Sequence, residues 1–209
     1  VQQLRLILIR HGSASYFERR IVAGATGCSG LTVEGQVQAR KLCHRFQKPG
    51  ELSDPVVVLS SPLARAMETA RLLAPAFPGT DILPEPDLEE MSVGVADGMA
   101  WSEFSLQFGE FDVMAEPDRM WAPEGESWTM FTQRVRGFLD RVRHDYEDKT
   151  VVAVTHGGVI DLSMRELLGI PKTGTRASFF PSNTGLTEWS FQESWKLERY
   201  NDTSHLATR

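Results

Sequence analysis

The sequence predicts an α/β fold: a three-layer sandwich with a mostly parallel central sheet and helices on both faces. Three observations carry this expectation. Short, continuously apolar runs recur at Leu6-Ile7-Leu8-Ile9, Val56-Val57-Val58-Leu59 and Val151-Val152-Ala153-Val154, as strands covered on both faces require. Helical patterns alternate with these runs. The C-terminal part carries two adjacent strand-like runs, Gly185 to Phe191 and Trp195 to Tyr200. They read as a closing antiparallel hairpin at an edge of the sheet.

Taken in order, Leu4 to Ile9 is the first buried strand, and a glycine-rich loop runs from Gly24 to Gly30. Thr32 is placed to cap a helix that runs to about Phe46. Pro55 to Ser60 is a second strand. Pro62 suits the first turn of the next helix, which carries Leu63, Met67, Ala70, Leu73 and Ala74 on one face. From Pro84 to Pro123 the chain mixes prolines, glycines and large apolar residues. This stretch is an irregular, partly helical insertion rather than a linker, because linkers lack such aromatics. Trp128, Phe131, Val135, Phe138, Leu139, Val142 and Tyr146 form a helical stripe from Ser127 to Tyr146. Thr150 to Val154 is a third buried strand. Val159 to Leu168 is a helix, ended near Gly169 and Pro171.

Size and charge narrow the functional classes. The chain has 209 residues, 41% hydrophobic and 24% charged, which suits one domain over 1–209 with an insertion or cap at about 92–126. The formal net charge is −6, with no Lys/Arg-rich run. That argues against nucleic acid as partner but allows a local positive pocket for an anion. Cys28 and Cys43 show no framework or metal spacing. They read as free thiols in a reducing compartment, with a single disulfide as the alternative. The longest apolar stretches are strand-sized and no signal peptide stands out, so the expectation is a cytoplasmic protein without membrane association. A leader removed beforehand is compatible with a chain that starts almost at its first strand. The expected partner is a small phosphorylated substrate. The oligomeric state is open, with a homodimer among the arrangements allowed.

Arg10-His11-Gly12 follows the first strand directly, at the edge where open α/β sheets bind ligands. Ser60-Ser61-Pro62-Leu63-Ala64-Arg65-Ala66 and Thr155-His156-Gly157-Gly158 follow the second and third strands. A parallel sheet brings these three junctions to one edge. Arg10 and Arg65 then supply forked donors for phosphate oxygens, and adjacent helix N-termini add backbone donors. A neutral His11 can attack phosphorus in line, while His156 stabilises charge on the transferring group. No Asp-rich cluster, His-x-Glu-x-x-His pattern or phosphate-binding Lys loop is present, so no metal and no cofactor are expected. Asp87-Leu88-Glu89-Glu90-Met91 offers carboxylates for a general acid.

These residues resemble the histidine phosphatase superfamily, the phosphoglycerate-mutase-like enzymes. The resemblance spans nearly the whole chain. It runs through Arg10-His11-Gly12, Gly30-Leu31-Thr32 with Gly35, Gln38 and Ala39, the Ser60–Ala66 segment with Thr69-Ala70, and Leu88-x-Glu90 with Gly94 and Gly98. It continues in Gly125-Glu126-Ser127, Thr155-His156-Gly157, Asn183-Thr184, Asn201-Asp202 and His205-Leu206. It implies that His11 is phosphorylated during turnover. Arg10, His11, Arg65, His156 and Gly157 hold the phosphate, with Ser13 as a candidate further contact, and Glu90 is the acid/base. It also implies a mixed, mostly parallel sheet with an insertion over the active site.

The chain departs from the pattern in two places. Many members have Glu-Thr after Arg-His-Gly and a phosphate-holding Asn a few residues on. Here Ser13-Ala14 and Phe17 stand there, leaving Ser13 or Ser15 as substitutes. The loop before Leu31-Thr32 also lacks the usual Asp-x-Pro.

The resulting expectation is a metal-independent phosphomonoesterase that hydrolyses a small phosphorylated metabolite through a phosphohistidine. The alternatives are a phosphoglycerate-mutase-type phosphotransferase and an inactive module that binds phosphorylated ligands. Blander roles compete for several residues. Arg65 could pair with Glu68 or Glu34, and Glu90 could belong to a solvated acidic loop with Glu85, Asp87, Glu89 and Asp97. His44 and His144 are expected at the surface and His205 packed against the body. Trp101, Trp121 and Trp128 are expected as core of the insertion, with walling of the substrate pocket as the other role.

Overall fold

Side chains of the first strand alternate between two cores. Leu4, Leu6 and Leu8 enter one apolar cluster, Ile7 and Ile9 the other. The computed structural model describes residues 3–52, 56–170 and 177–207. In chain order its elements are β1 (Leu4–Arg10), α1 (Ser15–Arg19), α2 (Val33–Phe46), β2 (Val56–Ser60), α3 (Ala64–Leu73) and β3 (Ile82–Pro84). Then follow α4 (Trp101–Phe108), α5 (Trp128–Asp145), β4 (Thr150–Thr155), α6 (Gly157–Leu167), β5 (Leu186–Phe191) and β6 (Trp195–Asp202). The six strands form one sheet in the order β3-β2-β4-β1-β5-β6.

The three-layer expectation holds. On one face α5 and α6 bring Phe131, Val135, Phe138, Val159 and Leu162 onto Leu6 and Leu8. On the other, α2 and α3 bring Leu42, Phe46, Ala70 and Leu73 onto Ile7 and Ile9. Each such large side chain contributes about 1.5–3 kcal/mol by leaving water. Strands β3, β2, β4 and β1 are mutually parallel. The β5–β6 pair adds on antiparallel at one edge, as the hairpin pattern predicts.

Helix starts follow local chemistry. Thr32 Oγ1 accepts from the Gly35 N–H at 3.0 Å, and Ser127 Oγ accepts from the Met130 N–H at 3.2 Å, as N-caps do. Pro62 differs from its expected place. The helix begins at Ala64 after Leu63 as cap, so Pro62 sits in the turn before the helix rather than in it. Two short elements escape sequence reading: α1, and the edge strand β3. Pro55 and Pro171 lie outside the described residues.

The insertion packs Ala96, Phe104 and Ala122 with Val22 of the loop after α1 into a small separate core, with Trp121 against it. Asp97 ties it to the glycine-rich loop by accepting from the Gly24, Thr26 and Gly27 N–H groups at 2.6–2.8 Å. Those donors hold the Asp97 carboxyl below its ordinary range in spite of partial burial. Cys28 and Cys43 are both free and buried. No described helix is long and apolar enough to cross a membrane.

Candidate active site

Strand register assembles the site. Arg10 pairs with Thr155 across β1 and β4, and Ser60 pairs with Val154 across β2 and β4. The three strands therefore end together, and His11, Ser61 and His156 leave the sheet side by side. The His11 and His156 rings lie 5.2 Å apart, centroid to centroid. Both are buried.

The His11 tautomer follows from one contact. Nδ1 stands 2.7 Å from the Gly12 carbonyl, which can only accept, so Nδ1 carries the proton and Nε2 keeps its lone pair. The main chain around it is pinned. Asn183 Nδ2 donates to the His11 carbonyl at 2.9 Å, and the Gly12 N–H donates to Thr69 Oγ1 at 3.1 Å. The start of α2 presses on the same loop: a Cβ on Gly35 would stand 2.1 Å from the Ser13 carbonyl oxygen. Only glycine permits that approach.

His156 is oriented from both nitrogens. Arg65 Nε donates to its Nδ1 at 3.2 Å, so Nε2 holds the proton and donates to Ser61 Oγ at 2.8 Å. Burial first, and the Arg65 charge second, hold both imidazoles well below the ordinary histidine value. Both are neutral at pH 7 in the unliganded protein.

The two guanidiniums lack carboxylate partners among the described residues. Arg65 is only 1% exposed. It donates to the Ala23 carbonyl at 3.2 Å and lies over the Tyr16 ring at 4.9 Å. Glu68, its alternative partner, is engaged instead by the Leu31 N–H and Gln36. Arg10 donates to the Pro181 carbonyl at 2.7 Å and stacks on Phe180 at 4.4 Å. Its Nε is buried without a hydrogen-bond partner. Burial pulls the Arg10 value down somewhat, yet arginine stays charged.

Glu90 reaches the same edge. Its carboxylate accepts from the Gly158 N–H at the start of α6 and from the Met91 N–H, each at 3.1 Å. A cleft of about 150 Å³ opens beside it, lined by Glu89, Glu90, Ala23, Leu63 and Asp97 among others. Glu89 shares this cleft, and burial pushes its carboxyl upward.

The sequence-selected His11, Arg10, Arg65, His156, Gly157 and Glu90 thus converge. Ser13 is nearby, but the hydrogen bonds that locate it are made by its backbone, to Gln38 and Thr32. Ser15 turns to Ser29 Oγ and the Gly30 carbonyl. Phe17 is 77% exposed. Trp101 packs edge-on against Phe104 and Trp121, and Trp128 packs on Phe131. His44 and His144 are exposed. Sequence reading missed Tyr16 and Phe180, which cover the two guanidiniums, and Arg134, which braces the segment before the insertion. Nothing in the sequence marks Arg134 out among the four arginines of α5.

Fold and side chains together describe an α/β protein with a cationic cluster at the carboxyl edge of its sheet. Comparison with known proteins names the family. Residues 6–203 match the model of the histidine phosphatase superfamily (branch 1), and the chain belongs to that superfamily. It is 27% identical over 221 aligned positions to an Escherichia coli protein named as a probable phosphoglycerate mutase, GpmB, covering 97% of this chain and 95% of that one. Among solved structures it is similar to Bacillus stearothermophilus YhfR, with a TM-score of 0.82 and 23% identity over 98% of this chain and 100% of that one. It is also similar to the alpha-ribazole phosphatase of Shigella flexneri, with a TM-score of 0.78 and 24% identity over 95% of this chain and 96% of that one.

Proposed function

We propose that this protein is a metal-independent phosphomonoesterase that hydrolyses a small phosphorylated metabolite through a phosphohistidine on His11. One observation carries the reading. The buried Arg65, the partly buried Arg10 and two neutral imidazoles cluster together with no ion-pairing carboxylate for either arginine among the described residues. Burying uncompensated cations is costly, and a phosphate dianion offsets that cost.

The first step uses the free lone pair of His11 Nε2. It forms a bond to phosphorus as the bond from phosphorus to the ester oxygen breaks. The Glu90 carboxyl gives its proton to the departing oxygen. Arg10, Arg65 and His156 bind the equatorial oxygens, His156 by turning the Nε2 proton it shares with Ser61 Oγ toward a phosphoryl oxygen. In the second step the Glu90 carboxylate takes a proton from water as the water oxygen bonds to phosphorus. The bond from nitrogen to phosphorus breaks and inorganic phosphate leaves. The two guanidiniums neutralise the phosphoryl oxygens in both steps, so no metal cation is required.

Mutase-type transfer is the second reading, favoured by the name of the Escherichia coli relative. It needs a second anion-binding patch, and the insertion argues against one. From Gly94 to Glu126 the only basic residue is Arg119, which already pairs with Glu116 and donates to the Phe108 carbonyl. An inactive binding module is disfavoured by the completeness of the His11, Arg10, Arg65, His156 and Glu90 set.

Turnover with a labelled phosphomonoester, quenched in alkali, is expected to leave label on His11, because phosphohistidine survives base and is lost in acid. His11→Ala is expected to lose essentially all activity and all label. Near wild-type turnover by that variant would overturn the reading.

A further inference from the structure

Gly125-Glu126-Ser127 stands out in the sequence, yet Glu126 takes no part in the phosphate pocket. It pairs with Arg134, whose Nε and Nη2 donate to the two carboxylate oxygens at 2.8 and 2.7 Å. Arg134 Nη1 also donates to the Asp87 and Glu89 carbonyls at 2.8 and 3.0 Å. Its Nη2 donates to the Glu90 carbonyl at 3.3 Å. A guanidinium has five N–H donors, and these five contacts use them all. From the other side, Glu126 Oε2 accepts from the Ser92 N–H at 2.8 Å. The Glu126 N–H returns a bond to the Ser92 carbonyl at 2.9 Å.

One ion pair therefore grips residues 87–92 from both ends. The stretch between the Pro86–Leu88 and Gly94–Ala96 turns has neither helix nor strand bonds of its own. Side chains must supply what a ladder would otherwise supply. The pair is well placed to do so, since its side chains are 17% and 14% exposed and a planar bidentate fork holds its geometry well. Arg134 is itself carried on α5, a rigid helix anchored in the main core through Phe131, Val135 and Phe138.

We propose that Glu126 and Arg134 are positioning residues for the general acid: they fix the 87–92 backbone so that the Glu90 carboxyl stays against the start of α6, in reach of the leaving oxygen. This rests on the reading of Glu90 as the acid. Lysine keeps the charge of Arg134 but has three donors and no fork, so Arg134→Lys loosens the segment without removing the cation. A loosened acid slows departure of a poor leaving group, whereas a nitrophenolate leaves with little help.

The test compares single-turnover phosphorylation by 4-nitrophenyl phosphate and by an unactivated alkyl phosphate that the wild type turns over. The variants are Arg134→Lys, Glu126→Gln, Glu90→Gln and the Glu90→Gln/Arg134→Lys double. Arg134→Lys is expected to lose about 10- to 100-fold on the alkyl ester, the scale of a misplaced group, and no more than about threefold on the nitrophenyl ester. Glu126→Gln should show the same split in milder form, and it stands in if Arg134→Lys does not fold. In the Glu90→Gln background, Arg134→Lys should add no more than about threefold on the alkyl ester, because residues acting as one unit are not additive. Equal losses on both esters, or full additivity in the double variant, would make the pair merely structural and overturn the proposal. If Glu90→Gln itself spares the alkyl ester, the acid assignment falls and takes the positioning role with it. A selective Glu90→Gln beside an unselective Arg134→Lys overturns the positioning role alone.

Discussion

His205 shows how one half-buried side chain makes the whole protein sensitive to acid. The Thr184 hydroxyl donates to the Asn183 carbonyl at 2.8 Å, so His205 Nε2 must donate to Thr184 Oγ1 at 2.9 Å. Nδ1 is left buried without a hydrogen-bond partner, and a proton there would bury an unpaired donor. Burial, with the Arg45 charge second, brings His205 down to about 4 from its ordinary 6.5. Between those two values the unfolded chain holds a proton that the folded chain does not. The stability is complete above about 6.5 and is lost as pH falls toward about 4. His11 and His156 act in the same direction. Asp202, pulled low chiefly by its hydrogen bond from Arg45, matters only below the ordinary carboxylate range. The melting temperature of the unliganded protein is expected to fall from about pH 7 to about pH 5, and to fall less in His205→Asn. A melting temperature that stays flat over that interval in the parent protein would contradict this account of the three histidines.

At the scale of elements, the first turn of α6 does two jobs. It carries His156 as its cap residue, and its Gly158 N–H holds the Glu90 carboxylate. A Cβ on Gly158 would stand 2.2 Å from Glu90 Oε1. That atom ends a flexible side chain, so Gly158→Ala should displace the carboxylate and shift the Phe131 ring edge, 3.0 Å from the new Cβ, by a few tenths of an ångström; alanine also favours a helix over glycine. The variant is expected to melt within a few degrees of the parent while losing about 10- to 100-fold on alkyl phosphates, the scale of a misplaced group. Melting scans beside assays on alkyl and nitrophenyl esters check both halves. Undiminished alkyl turnover would show that Glu90 need not sit on the α6 N-terminus.

The whole molecule sets the choice between hydrolysis and transfer. Its cap adds Asp97, Glu103, Glu110, Asp112, Glu116 and Asp118 against Arg119 alone, which disfavours a second phosphate by like-charge repulsion. Incubation with phosphoglycerate is expected to give little isomerisation, with no stimulation by bisphosphoglycerate. Interconversion of the two phosphoglycerates far in excess of phosphate release would favour the mutase. Among the described residues, no group of three or more His, Cys, Asp or Glu is placed to hold a metal ion. Dialysis against a chelator should leave activity unchanged, and vanadate should inhibit by adopting five-coordinate geometry. Loss with chelator and recovery with magnesium or manganese would displace the arginine–histidine model.

Much of this was legible before folding. The apolar strands, the capped helices and the three junction motifs are local signals, because strand burial, helix capping and turn chemistry depend on residues close in sequence. They sufficed to place His11, Arg10, Arg65 and His156 at one edge, whereas only the resemblance to the family singled out Glu90 among its neighbouring carboxylates. Local signals could not reveal α1 or the three-residue β3, which are too short to show a period. They also put Pro62 inside its helix, although it lies two residues before the first helical one. Tertiary structure alone decided how the site is held. The main chain at His11 is pinned by Asn183 and Thr69, while the orientation of His156 comes from Arg65 and Ser61. The brace on Glu90 comes from an arginine 44 residues away. Such contacts join atoms that are distant along the chain, and only sheet register and helix packing bring them within hydrogen-bond range.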